Sequence, residues 1–421
     1  MSQENSASVR EALPEIEECL ERILEGLGLN DREVGEGTQP IQEVSIEDAV
    51  GCVLAETVHS GMSVPPFPKS AMDGYAVRAQ DLEGASKDSP VVLKVQGELL
   101  AGDYEELPYK EATAVRVMTG AYVPEGYDAV VKQEDTDYGA EQVSVYTSVK
   151  PYMNYCKVGE DIREGDVVVQ QGTRLTPVHI GLLAGVGLDT VRVHVPIKVA
   201  IICTGTELCE AGESLPKGKI YNNISHILAA GIRREGLQVV SRQLCADEEN
   251  VLSEKLREAL NIADVVITTG AVSVGKKDIV PDVLTGIGAD ILFRRANIQP
   301  GTPTTASVKE GKLILSLSGN PYAAIVNFEI YFWAVVARMM GHESFNVKTE
   351  TAVLQNEYGK VNRMRRFVRA KAENGKVYLP TGVHASSVIH NLTECNCFID
   401  LEPGRSVNVG DEVRIRYIKG M

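Results

Sequence analysis

Three glycine-bearing turns in this chain could cradle an anion. They are Cys203-Thr-Gly-Thr-Glu-Leu208, Thr268-Thr-Gly-Ala-Val-Ser-Val-Gly275 and Leu317-Ser-Gly-Asn-Pro321. Each follows a short apolar run, and such a turn at a strand end aims backbone N–H groups at a ligand. The second turn adds hydroxyls, then Lys276, Lys277 and Asp278. Glu207 and Asp247 also stand just past apolar runs, and hard carboxylate oxygens suit a divalent cation. A fourth segment, Ser70-Ala-Met-Asp-Gly-Tyr-Ala-Val-Arg-Ala-Gln80, follows the proline-rich Val64-Pro-Pro-Phe-Pro-Lys69. The prolines stiffen the chain and present Asp73 on an exposed loop, with Gly74 expected to permit a turn. Taken singly, each glycine is equally explained by a turn, and each carboxylate by solvent or a cap. What they do together depends on the elements that carry them.

From about residue 196 the chain alternates strand and helix. Strands are expected at 198–203, 237–244, 264–269 and 312–317, and helices at 225–235, 248–262 and 322–340. That pattern describes an open, mostly parallel sheet, whose ligands bind at the carboxyl ends of its strands. All three turns lie there. Residues 62–150 read as short β runs (91–95, 114–118, 129–132) punctuated by Gly and Pro, as in a small barrel or sandwich. Helical periodicity marks 9–27 and 177–187, and Ser45-x-x-Asp48 reads as a capping box opening a helix over 49–55. Past about 345, β runs near 353, 367, 376, 397 and 412 make a terminal β domain. The expected organisation is a multidomain α/β plus β chain in four parts. Residues 1–61 and 151–195 form one discontinuous domain, 62–150 a β-rich insert, 196–342 the α/β domain and 343–421 a C-terminal β-barrel.

The string Ser70-Ala-Met-Asp-Gly-Tyr-Ala76 resembles the signature of the molybdopterin molybdenumtransferases, the MoeA proteins and the related gephyrin E domains. In that family the turns recur as Thr-Gly-Asp-Glu-Leu, Thr-Gly-Gly-Val-Ser-Val-Gly followed by Asp, and Leu-Pro-Gly-Asn-Pro. Further similar stretches are Met118-Thr-Gly-Ala-Tyr-Val-Pro124, Asp128-Ala-Val-Val-Lys-Gln-Glu134, Gly159-Glu-Asp-Ile162, Pro300-Gly-Thr-Pro303 and, more loosely, Ala385-Ser-Ser-Val and Asn396. The resemblance implies a MogA-like three-layer α/β domain and an elongated homodimer in which Asp73 faces the other subunit's pocket. It implies insertion of molybdate into adenylylated molybdopterin with release of AMP, aided by Mg2+. The acidic cluster it carries over is Asp73, Asp161, Glu207, Asp247 and Asp278, with the metal falling to Glu207, Asp247 and Asp278. The substrate-binding set is Thr119, Gly205, Gly270, Ser273, Gly275, Lys277, Arg295, Gly301, Gly319 and Asn320. Asp161 also reads as a turn cap, and Asp247 as the start of the helix at 248.

A formal charge of −16 argues against a nucleic-acid backbone as partner. It also repels molybdate, pterin phosphate and nucleotide, so the site must reverse the sign locally through N–H groups, a few cations or a carboxylate-held metal. Six positions depart from the family pattern: Thr206, Ile224, Ala271, Gln299, Thr302 and Ser318. Gln299 and Thr302 stand where the family carries Lys, leaving Arg294, Arg295 or Lys277 to compensate. A non-catalytic scaffold on the same fold and a tungstate-specific insertase are the alternatives. No apolar run is expected to span a membrane, and the N-terminus lacks the basic start and apolar core of a secretory signal. A cytoplasmic location is therefore expected, and the eight cysteines form neither a disulfide framework nor a zinc pattern.

Overall fold

A computed structural model describes residues 12–30, 37–271, 278–382 and 384–419. At its centre strand Lys198–Thr204 is buried from Val199 onward on both faces, as a strand between two helical layers must be. Val199, Ile201 and Cys203 enter one core with helices Ile16–Gly26, Ile224–Arg234 and the segment 321–340. Ala200 and Ile202 enter the other, with helices Glu249–Ile262 and Val280–Gly286. The six-stranded sheet runs in the order Gln238–Cys245, Lys198–Thr204, Val265–Thr269, Lys312–Leu317, Pro303–Lys309, Asp290–Arg295. The first four strands are parallel; Pro303–Lys309 is antiparallel to both its neighbours. This is the MogA-like three-layer domain.

The N-terminal helix Ile16–Gly26 packs on this α/β core rather than on the 41–59 segment with which the sequence groups it. Pro321–Met340 is long and apolar enough by length and composition to cross a membrane, against expectation, yet 89% of its most apolar stretch is buried in the protein. Its all-round apolarity is that of a central core helix. A π-helical turn interrupts it at Phe328–Phe332.

Strand Ile41–Ser45 pairs antiparallel with Thr190–His194, and Val58–His59 with Val167–Val169, so this part of the fold is discontinuous in sequence. The Ser45 hydroxyl accepts from the Glu47 N–H and opens only the short turn Ile46–Ala49. The helix expected over 49–55 is replaced by bridges from Val53 and Leu54 to Arg174 and Val193, which send Leu54 into that small core and Val53 into the α/β core.

The intervening β region is a five-stranded sheet ordered Ala129–Lys132, Gly74–Val77, Thr113–Val117, Val91–Leu99, Gln142–Val145. Gly74 begins a strand flanked on both sides, and a Cβ there would collide with the Val131 carbonyl. Its role is close backbone approach, not the expected turn.

Near the C-terminus, Arg365–Glu373 pairs with both Lys376–Tyr378 and Cys397–Leu401. With Thr349–Leu354 and Glu412–Tyr417 they close a five-stranded barrel. Ile298–Gln299 reaches out of the α/β domain to lie parallel beside Arg365–Glu373. The seam is fastened by buried Arg365, which donates to Asp400 at 2.7 and 2.8 Å and to Glu17 on the N-terminal helix at 2.9 and 2.8 Å.

Candidate active site

At the carboxyl ends of the parallel strands lies a cavity of about 600 Å³. Thr204, Gly205 and Glu207 come from the end of strand Lys198–Thr204, Asp247 from just past Gln238–Cys245, Thr269 and Gly270 from the end of Val265–Thr269, and Ser318, Gly319 and Asn320 from just past Lys312–Leu317. Gly270 has φ +88°, and a Cβ on it would run into the Thr204 carbonyl. Only glycine permits this close crossing of turns. The Gly205 and Gly270 N–H groups donate to the Cys245 and Leu317 carbonyls at 3.2 and 3.1 Å. These glycines therefore shape the floor and do not offer their N–H groups to an anion, a correction to the simple cradle. Asn320 precedes the helix at Pro321 without capping it, which leaves its amide for the cavity.

Two carboxylates face this space. Glu207 folds back so that its Oε1 would be 2.8 Å from a Cβ on Gly205. Asp247 Oδ2 accepts from the Thr206 N–H at 3.4 Å, while its Oδ1 is buried without a partner among the described residues. Asp247 does not cap the following helix; Glu248 holds the N-cap position and makes no side-chain cap. Asp278 is not in the lining. It pairs with Arg294 at 3.8 Å, and its Oδ1 is buried without a described partner. Burial raises its pKa, against the pull of Arg294. The expected three-carboxylate centre of Glu207, Asp247 and Asp278 is thus not assembled: no three metal-ligating side chains gather among the described residues. The Asp278 carboxylate is instead turned toward a cation on strand Asp290–Arg295.

Asp73 and Thr119 form a separate group in the β insert, outside the cavity lining. Thr119 donates its N–H and its hydroxyl to Asp73 Oδ1, and these two bonds hold the carboxyl below its ordinary pKa. Asp161 is exposed in the turn beside Val64, where Glu160, not Asp161, accepts the capping N–H from Lys157. Arg295 is exposed on its strand and Gly301 follows the barrel-paired strand; neither lines the cavity. Ser273, Gly275 and Lys277 lie outside the described residues.

Sequence reasoning left out the opposite wall. Ile220, Tyr221 and Asn223 come from a two-residue strand and the turn after it, too short for any periodicity. Ser387 comes from the C-terminal barrel. It is delivered by Arg369, wholly buried, which donates to the Ala385 and Val388 carbonyls and to Asn391 and sits 3.7 Å above the Tyr322 ring. Tyr322 in turn donates its N–H to the Ser386 carbonyl at 3.1 Å. The only sequence signal was the serine pair at 386 and 387.

Residues 7–187 match the MoeA N-terminal region (domains I and II), 200–338 a probable molybdopterin binding domain and 351–416 the MoeA C-terminal region (domain IV). A molybdopterin molybdenumtransferase from Staphylococcus epidermidis is 34% identical over 376 residues, spanning 88% of this chain and 90% of that protein. The chain belongs to the MoeA family. A Staphylococcus aureus member is 34% identical over 387 residues, spanning 90% of this chain and 92% of that one. A crystal structure of the MoeA protein from Pyrococcus horikoshii superposes with a TM-score of 0.82 at 29% identity, over 97% of this chain and all of that one. Against this MoeA frame the departures acquire places. Ala271 takes φ +53°, a left-handed conformation costly for a residue with a Cβ. Thr302 turns its hydroxyl to the Ile298 carbonyl at 2.6 Å, and Ser318 accepts from the Asn320 N–H at 3.2 Å. Gln299 is exposed beside Arg366.

Proposed function

We propose that this chain is a molybdopterin molybdenumtransferase, joining molybdate to the dithiolene sulfurs of adenylylated molybdopterin and releasing AMP. The observation that carries the reading is the strand-end cavity of a MoeA chain, floored by Gly205, Gly270 and Gly319 and holding Glu207 and Asp247. Its volume suits a small-molecule ligand. The sulfur ligands arrive on the substrate, so no thiol need react. Cys203 and Cys245 fit that role: both are buried, and burial raises their pKa values.

The reaction includes Mg2+ in this proposal, and the donors present fit it. Asp247 Oδ1 is a buried oxygen with no described partner, and Glu207 faces the same space. Mg2+ is commonly held by one or two carboxylates together with substrate phosphates and water, so two acids suffice. When bound it would neutralise phosphate and oxyanion charge as the phosphoanhydride opens. Glu207 and Asp247 would hold it, while Asn320, Ser318 and Ser387 orient substrate oxygens. A pure scaffold has no use for a carboxylate oxygen buried without a partner, which favours catalysis over that alternative.

A homodimer belongs to the proposal. Helix Pro177–Gly185 is apolar apart from His179, yet only Leu183 is buried, and Val178 is 72% exposed. Gly181 and Gly185 open onto free space, leaving room for a second helix. Asp73, outside its own cavity, would then complete the partner's. Mixing inactive Asp73→Ala with inactive Glu207→Ala subunits should restore activity; none restored despite subunit exchange removes the shared site. A cytoplasmic setting suits eight unpaired cysteines.

The test is incubation with adenylylated molybdopterin, Mg2+ and either molybdate or tungstate. AMP release that requires the oxyanion supports the proposal, and the better oxyanion names the metal. Substrate binding without AMP release supports the scaffold.

A further inference from the structure

Arg174 ties the discontinuous part of the fold to the α/β domain. Its Nε donates to the Gly51 carbonyl at 3.1 Å, within its own part. Its other two nitrogens donate to the carbonyl and carboxylate of Glu235, at the end of helix Ile224–Arg234, at 2.9 and 3.2 Å. The guanidinium lies 4.7 Å from the centre of the Phe345 ring. His342, just past the long core helix, sits against this joint, and both of its ring nitrogens face donors. The Arg174 N–H points at Nε2 at 3.3 Å, across 168 residues of sequence, and the Ser344 N–H at Nδ1 at 3.0 Å. A neutral imidazole accepts at one nitrogen; an imidazolium accepts at neither.

We infer that His342 is an acid-sensitive latch: neutral, it holds the segments around Gly51 and Arg174 against the end of the core helix, and protonated, it lets them part. The charges around the ring act in the same sense. Glu235 already serves both Arg174 and Lys419, at 3.2 Å to each, so neither cation is left for a third to replace. Burial first, then the charge of Arg174 and less so that of Lys419, holds the imidazole below its usual pKa, against the pull of exposed Glu343. The Cys52 thiol near Arg174 is pushed up by burial and stays neutral. A cleft of about 530 Å³, lined by Glu235, Glu343, Ser344 and Lys419, brings solvent to the joint. Lys348 and Tyr417 share that cleft, and both are engaged with Glu350. A histidine depressed in the closed joint contributes stability that is whole above the free-imidazole pKa of about 6.5 and is lost as pH falls below it. The β insert bearing Asp73 leaves and re-enters this part of the fold through the pair Val58–His59 and Val167–Val169. A looser joint therefore frees the insert relative to the strand-end cavity.

The test is amide hydrogen exchange of the full chain, read by mass spectrometry and corrected for the intrinsic pH dependence of exchange. Between about pH 7.5 and about pH 5.5, proton uptake by the open joint should speed exchange in peptides spanning 171–175 and 342–345 by up to about tenfold. Strand Lys198–Thr204 should keep its protection. His342→Asn retains an oxygen that can accept from the Ser344 N–H and takes up no proton, so its joint should exchange alike at both pH values. His342→Gln, with a longer reach, should behave the same. Unchanged exchange at the wild-type joint overturns the inference. An acid-induced rise that persists in both variants overturns it too, because another group would then be titrating. Equal loss of protection in the central strand would show global unfolding in place of a latch.

Discussion

Thr119 donates both its backbone N–H and its hydroxyl to a single oxygen of Asp73, each at 2.7 Å, across 46 residues of sequence. The residue is half-buried, and these two bonds outweigh the opposing effect of desolvation and keep its pKa below the ordinary value. A depressed pKa means the ionised form persists as pH falls. Removing the donor hydroxyl in Thr119→Val should move the acid limb of the pH–rate profile upward and lower AMP release, with the melting temperature unchanged. An acid limb that stays in place would mean that Asp73 ionisation has no part in turnover.

Asp247 has an oxygen with no described partner to lose. Asp247→Asn should therefore fold normally, yet need about tenfold or more Mg2+ for half-maximal AMP release. The same Mg2+ requirement in wild type and variant would take Asp247 out of the ion's coordination.

Asp400 and Arg365 fasten the barrel to the N-terminal helix. Burial opposes ionisation of Asp400, but the hydrogen bond from Arg365 and the charges of Arg416 and Arg365 outweigh it, and the carboxyl sits below its usual pKa. A depressed carboxyl contributes stability that is present above its unfolded pKa and lost as pH falls through the folded one. Acid unfolding should accordingly set in below the ordinary carboxylate range. Asp400→Ala, which strands Arg365 and Arg416, should cost about 3–5 kcal/mol by urea unfolding near neutral pH and flatten the acid dependence. A loss under about 1 kcal/mol would show the pair to be replaceable by its neighbours.

Ala271 is held at φ +53° where glycine would rest without strain. Ala271→Gly should raise stability by about 1 kcal/mol. A lower melting temperature would mean that the methyl group's contacts outweigh the backbone strain.

The four parallel strands were legible because each is a buried apolar run set between helical periods. Pro303–Lys309 was not: its buried Thr304, Thr305 and Ser307 look like loop residues to any hydrophobic pattern. Gly270, Gly319 and Glu207 could be placed because strand ends follow from strand positions. Ser387 could not. It reaches the cavity through a barrel whose closure depends on pairings between residues 365–373 and 397–401, and no local signal carries that. The Asp278–Arg294 contact, likewise, joins two elements whose proximity is set by the sheet.

The central claim is that one cavity couples oxyanion insertion to AMP release. Molybdenum retained on the pterin product and AMP set free should be measured in the same single-turnover sample of wild-type protein and of Glu207→Ala. The account predicts equal amounts of the two in wild type and loss of both together in the variant. AMP released without molybdenum uptake, or molybdenum uptake with the adenylate still attached, would contradict it.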